Sequence, residues 1–199
     1  MSSASSDRSA VLAAQLIARD GYRWREAFDT VFAETGERPP EESVARELRR
    51  WYAIFRPIDH RRSLRRKRTA ALGLMTFLEE SLGATPKLVG RVLDGAASDD
   101  AVAEVVLDTD DEKAPVLALL NAGFQIEELE PQNGETALLA VDMPEDPVLL
   151  AVWTRPRPRR PQRRPDEKQH PLESIGEISA ALLSVLLVHD EGFERDGLA

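Results

Sequence analysis

Cysteine is absent from the 199 residues, which excludes disulfides, thiolate zinc sites, iron–sulfur clusters and a cysteine nucleophile, and leaves the redox compartment open. Histidine occurs three times, at His60, His170 and His189, spread over three segments. Asp59-His60 and His189-Asp190 are adjacent pairs of the kind that metal-dependent phosphohydrolases use, but no further His and Asp stand at matching positions. There is no GxSxG elbow, no phosphate-cradling glycine loop, no HExxH and no dinucleotide fingerprint. The longest apolar run, Ala180 to Val188 with Ser184 inside it, falls well short of the roughly 20 residues of a membrane span. Met1 to Asp7 has neither the basic nor the apolar region of a secretory signal and reads as a frayed tail. A cytoplasmic protein with no membrane association is the expectation.

What the chain has in abundance is charge, sorted by sign. From Arg46 to Arg68 ten basic residues face two acidic ones, and from Arg155 to Lys168 seven face two. These segments together carry about +13, so in a chain of net charge −9 the rest carries about −22. Asp94 to Asp146 alone has fifteen acidic residues and one base, Lys113. Basic clusters attract polyanions, while an acidic block beside them repels nucleic acid, folds back on the basic face or meets another protein. With 42% hydrophobic residues a buried core needs no staples.

Periodicity makes the first half helical. Val11, Leu12, Leu16 and Ile17 share one face before Gly21, and Trp24, Phe28, Val31 and Phe32 share another before Gly36. Pro39, Pro40, Glu41 and Glu42 open a third helix carrying Val44, Leu48, Trp51, Tyr52 and Phe55 until Pro57. A fourth runs from Asp59 to Leu82 with Leu64, Ala71, Leu74, Met75, Leu78 and Leu82 inward, and Thr85-Pro86 introduces a short fifth through Leu93. Ser98 to Leu107 is ambiguous between helix and strand. Thr109 and Glu112 form a capping box before Val116, Leu117, Leu119 and Leu120. Phe124 to Leu129, Thr136 to Val141 and Val148 to Trp153 are β-like runs separated by turn chemistry. Five prolines interleaved with arginines make 154–171 a stiff linker, and Leu172 to Val188 reads as a last helix.

The fold class is therefore α+β. A tail (1–8) precedes a helical bundle (9–95) and an acidic α-β-β-β unit (96–153) built as a three-stranded antiparallel meander. A Pro/Arg linker (154–171), a C-terminal helix (172–190) and a tail (191–199) complete the chain.

Chemistry concentrates where the fourth helix begins. Arg61, Arg62, Arg65, Arg66, Lys67 and Arg68 crowd its first turns, where the macrodipole is positive and each exposed cation costs about 0.3 to 1 kcal/mol. Keeping six of them invites a compensating anion. Nucleic-acid phosphate is one such anion, bound without sequence preference and with strong salt dependence. The acidic half of the same protein, or of a partner, is the other. Arg157, Arg159, Arg160, Arg163 and Arg164 would form a second phosphate-binding arm or simply solvate a linker, and the Pro158 to Pro161 spacing matches a polyproline ligand only as many linkers do. Trp24 and Trp51 fall in phase with aliphatic core positions, which argues against base stacking. Asp108, Asp110, Asp111 and Glu112 suit helix capping better than calcium, because an EF-hand starting at Asp108 would have Lys113 and Leu119 at its glycine and glutamate places.

These residues point to a non-enzymatic regulatory or accessory protein with no cofactor and no metal, binding DNA or RNA phosphate through the basic helix. The alternative is a protein–protein adaptor or assembly subunit whose basic helix pairs with an acidic surface. The broad apolar face of the last helix is where a second copy would pack.

Overall fold

The structure, a computed structural model, describes residues 3–157, 165 and 169–196. The chain divides into two compact units, Met1–His60 and Arg61–Ala199. The boundary falls inside a helix.

The first unit holds α1 (Ser3–Asp20), α2 (Trp24–Thr35), α3 (Glu41–Phe55) and the start of α4 (Pro57–Leu82). Backbone regularity already begins at Ser3, so most of the stretch read as a frayed tail is helical. Small and aliphatic side chains on three faces form the core: Ala10, Ala13, Ala14 and Ile17 of α1, Ala27, Phe28 and Val31 of α2, and Val44, Ala45, Leu48 and Tyr52 of α3. Glu26 accepts a hydrogen bond from the Arg23 amide at 3.0 Å, and Gly36 closes α2 at φ 71°, a left-handed conformation that costs glycine little. The Tyr52 ring stacks on His60 at 3.9 Å, so that histidine is taken up in packing.

The second unit is an α+β layer structure. After α4 come β1 (Lys87–Val89), α5 (Gly90–Asp94), β2 (Ala103–Asp108), α6 (Lys113–Asn121), β3 (Ile126–Leu129), β4 (Ala137–Val141) and β5 (Val148–Trp153). A 3-10 turn (Pro171–Ser174), β6 (Glu177–Ile178) and α7 (Ala180–Asp196) follow. The strands form one mixed sheet in the order β3-β4-β5-β2-β1-β6. The three acidic-unit strands β3, β4 and β5 pair antiparallel in sequence order, but they are half of this larger sheet, joined to it by parallel pairing of β5 with β2.

Two expectations change, and one open segment resolves. Thr85-Pro86 does not start a helix: Leu88 and Val89 pair with Val105 and Glu104 of β2 and with Ile178 and Glu177 of β6, and sheet formation overrides the local cap signal. The ambiguous segment resolves as β2. The last helix starts at Ala180 instead of Leu172, because Gly176 at φ 88° breaks the run and frees Glu177 and Ile178 to pair. The α6 cap also differs. Asp111 Oδ1 accepts from the Lys113 amide at 2.9 Å, with Thr109 Oγ1 closing the preceding turn.

Alternation of burial along the strands defines two sheet faces. Val105, Leu107, Leu139, Val141, Val148, Leu150, Val152, Leu88 and Ile178 point to the core, where α4, α5, α6 and α7 all contribute side chains. Among the described residues, α4, α5, α6 and α7 therefore share this core. Gly73 sits inside α4 where a β-carbon would lie 3.2 Å from the Met143 methyl, so the β4–β5 loop approaches that helix closely.

Candidate basic interface on the long helix

The basic run of α4 starts where the second unit does, and the helix distributes its charges between solvent and interior. Arg62 is exposed, with Arg61 and Arg65 half-buried beside it. Of the next three residues, Arg66 is exposed and Lys67 and Arg68 are buried. Arg66 Nε donates to Asp146 Oδ2 at 2.8 Å. Lys67, 2% exposed, donates to the Asp99 carbonyl at 3.1 Å and reaches Asp146 Oδ1 at 3.5 Å. One carboxylate on the β4–β5 loop thus serves two cations.

Arg68 is fully buried. Its guanidinium donates to Asp190 at 2.8 Å and Glu173 at 2.5 Å, and to the carbonyls of Val92 and Leu93 at 3.1 Å each. Burial by itself would lower its pKa; the Glu173 and Asp190 carboxylates outweigh that and hold it above the ordinary arginine value. The planar fork of arginine suits this work, since one side chain satisfies the end of α5, the 3-10 turn and α7 together. His170 and His189 lie against the same cluster with ring centroids 4.6 Å apart. Burial, then the neighbouring His189, pushes the His170 pKa below its ordinary value, while Glu173 and Asp190 pull the other way.

Arg157 is also engaged. It donates to Asp108 of β2 at 3.1 Å and forms an ion pair with Glu177 of β6 at 2.8 Å, and Lys87 adds a 2.6 Å pair to the same glutamate. Burial alone would raise the Glu177 pKa, and these two cations bring it below the ordinary carboxylate value. Arg159, Arg160, Arg163 and Arg164 lie outside the described residues.

Of the basic residues singled out in the sequence, Lys67, Arg68 and Arg157 therefore face the chain's own acids. Arg66 is shared with Asp146. Arg62 is exposed, and Arg61 and Arg65 are half-buried. Sequence reasoning missed the individual partners, Asp146, Glu173, Asp190, Glu177 and Asp108, because no local pattern marks them. Asp190 stands 122 residues from Arg68, and only the segregation of charge along the chain hints that the two signs meet.

The acidic block is mostly on the surface. Eleven of the fifteen carboxylates between Asp94 and Asp146 are exposed, the exceptions being Asp94, Glu104, Glu135 and Asp146. Burial would raise the Glu135 pKa, but backbone amides including those of Gln132 and Asn133 hold it below the usual range. Among the described residues no group of three or more His, Asp or Glu is arranged to hold a metal ion, and no helix is long and apolar enough to cross a membrane. No protein-family model, curated protein or solved structure matches the chain.

Proposed function

We propose that the chain is a non-enzymatic adaptor or assembly subunit in which the basic helix α4 is an internal clamp and the exposed acidic surface meets other proteins. One observation carries this reading: the most sheltered bases of the run, Lys67 and Arg68, are paired with Asp146, Glu173 and Asp190 of the same chain. A charge cluster kept for an external polyanion would leave such residues in solvent, whereas here they tie the β4–β5 loop and the C-terminal segment to α4. The exposed acids then give the molecule a negative exterior, which repels nucleic acid and steers basic partners toward it.

Charge reversal separates the possibilities. Arg66→Glu with Lys67→Glu places two carboxylates against Asp146, and unfolding in urea should show a loss of about 3 kcal/mol or more. Unchanged stability would refute the clamp. A second reading, phosphate binding by this end of α4, is favoured by the exposure of Arg62, and it predicts salt-sensitive oligonucleotide binding that charge reversal removes.

A further inference from the structure

The C-terminal segment from Gln169 to Asp190 lies on the second unit as a strap, and its polar ties converge on a pair of histidines. Gln169 Nε2 donates to the Asp94 carbonyl at the end of α5, at 3.0 Å. The His170 amide donates to Glu173 Oε2 at 3.1 Å, and its ring Nδ1 accepts from the Leu172 amide at 3.2 Å, so backbone and side chain of one residue together close the 3-10 turn. The other oxygen of Glu173 takes the Arg68 guanidinium. Past the turn, Glu177 and Ile178 pair with Val89 and Leu88 of β1, and Leu183 and Leu186 of α7 enter the core. His189, at the surface, brings its ring to 4.6 Å from that of His170, and its neighbour Asp190 also holds the Arg68 guanidinium.

We propose that His170 and His189 form a proton-operated latch: with both rings neutral the strap is held down, and on protonation it loosens and uncovers the edge of β1. The chemistry follows from the hydrogen bonds. A ring nitrogen that accepts is unprotonated, so the neutral His170 ring carries its hydrogen on Nε2 and Nδ1 is the nitrogen that gains the next proton. That proton would confront the Leu172 N–H and remove the cap from the turn. Charge acts the same way. The groups facing the pair are Arg68 from α4, Glu173 from the turn and Asp190 from α7, while Asp94 of α5 is engaged by Arg91 at 3.4 Å. Both facing carboxylates already hold Arg68, so protonating the two rings sets three cations against two acids. Burial and the neighbouring His189 keep the His170 pKa below its ordinary value, whereas a lifted strap returns the ring to water. Acid therefore favours the lifted form, and the effect grows as pH falls through about 6.5 and below. Without β6 beside it, β1 presents unpaired backbone groups along one side, a template for another strand. The latch goes beyond the adaptor reading and does not depend on it.

The test follows amide hydrogen exchange of the full chain by mass spectrometry at about pH 7.5 and about pH 5.5, on either side of the histidine range. Each rate is expressed as protection relative to the unstructured rate at the same pH, which removes the intrinsic pH dependence of exchange. Acidification should lower protection at least about threefold in β1 and in the strap, the factor that half a pKa unit supplies, while β4 and β5 keep theirs. His170→Gln retains an acceptor for the Leu172 amide but cannot gain a proton, and its protection should be the same at both pH values. Should His170→Gln fail to fold, His189→Gln, which alters a ring at the surface, replaces it, and there the acid-induced loss should shrink. An unchanged strap in the wild type, a loss spread evenly over β4 and β5, or a loss undiminished in the variant overturns the latch.

Discussion

Replacing Arg68 should be among the most damaging single changes in the second unit. Its guanidinium makes four hydrogen bonds, two to carboxylates and two to the carbonyls that end α5. Arg68→Ala would leave Glu173 and Asp190 sheltered without a cation, and would open a cavity where a long side chain had packed. Removing one partner of a buried ion pair costs about 3 to 5 kcal/mol, which for a unit of this size corresponds to a melting point lower by about 10 °C or more. Urea unfolding followed by circular dichroism reads the first quantity and a thermal scan the second. Arg68→Lys keeps the charge but not the fork, and should lose about half as much. The triple change Arg68→Met, Glu173→Leu, Asp190→Leu removes all three charges together and should recover part of the loss, though not all, because the Val92 and Leu93 carbonyls stay unsatisfied. An Arg68→Ala variant within about 1 kcal/mol of the parent would refute the clamp, since an interaction that weak belongs to exposed pairs.

Two pH dependences follow from the same geometry. His170 has a native pKa below 6.5, so the unfolded chain takes up its proton first. Its contribution is therefore complete above about that pH and is lost as pH falls through it. Thermal melts between neutral and mildly acidic pH should show a decline that His170→Gln reduces; an identical slope in the variant contradicts this. Glu177 has a native pKa below 4.5, so its ion pairs with Lys87 and Arg157 contribute fully above that value and are lost as pH drops beneath it. Glu177→Gln should flatten the acid limb of the stability curve while leaving the neutral-pH histidine slope in place, and an unaltered acid limb would show that the pairs are solvent-screened.

How much of this was legible depended on how local each signal was. Helices α2 and α3 declared themselves through apolar spacing and through Gly36, Glu41 and Glu42, features that act within one turn. The β-like runs that became β3, β4 and β5 were visible because alternation and turn residues are short-range too. Lys87–Val89 misled, because Thr85-Pro86 is a sound helix opening and only pairing with residues far along the chain, Val105 and Ile178, turns it into a strand. The C-terminal segment misled for a related reason: its apolar residues suit a helix, and Gly176 decides the break. The basic run was plain in the sequence, but its division into surface Arg62 and buried Lys67 and Arg68 was not. Adjacent residues on a helix differ by about 100° in direction, and which way each turns depends on where α4 meets Asp146, Glu173 and Asp190.

The central claim is that the charges of α4 serve the chain's own fold, and oligonucleotide binding tests it most directly. Labelled duplex and single-stranded oligonucleotides should be titrated with the wild-type chain at low and moderate salt, with fluorescence anisotropy as the signal. In parallel, the same titration should be run on a variant carrying Arg61→Glu, Arg62→Glu and Arg65→Glu. Neither protein should show saturable binding at moderate salt. Saturable wild-type binding tighter than the roughly 1 to 100 µM of non-specific association, steeply weakened by salt and abolished in the variant, would contradict it and make α4 a nucleic-acid interface.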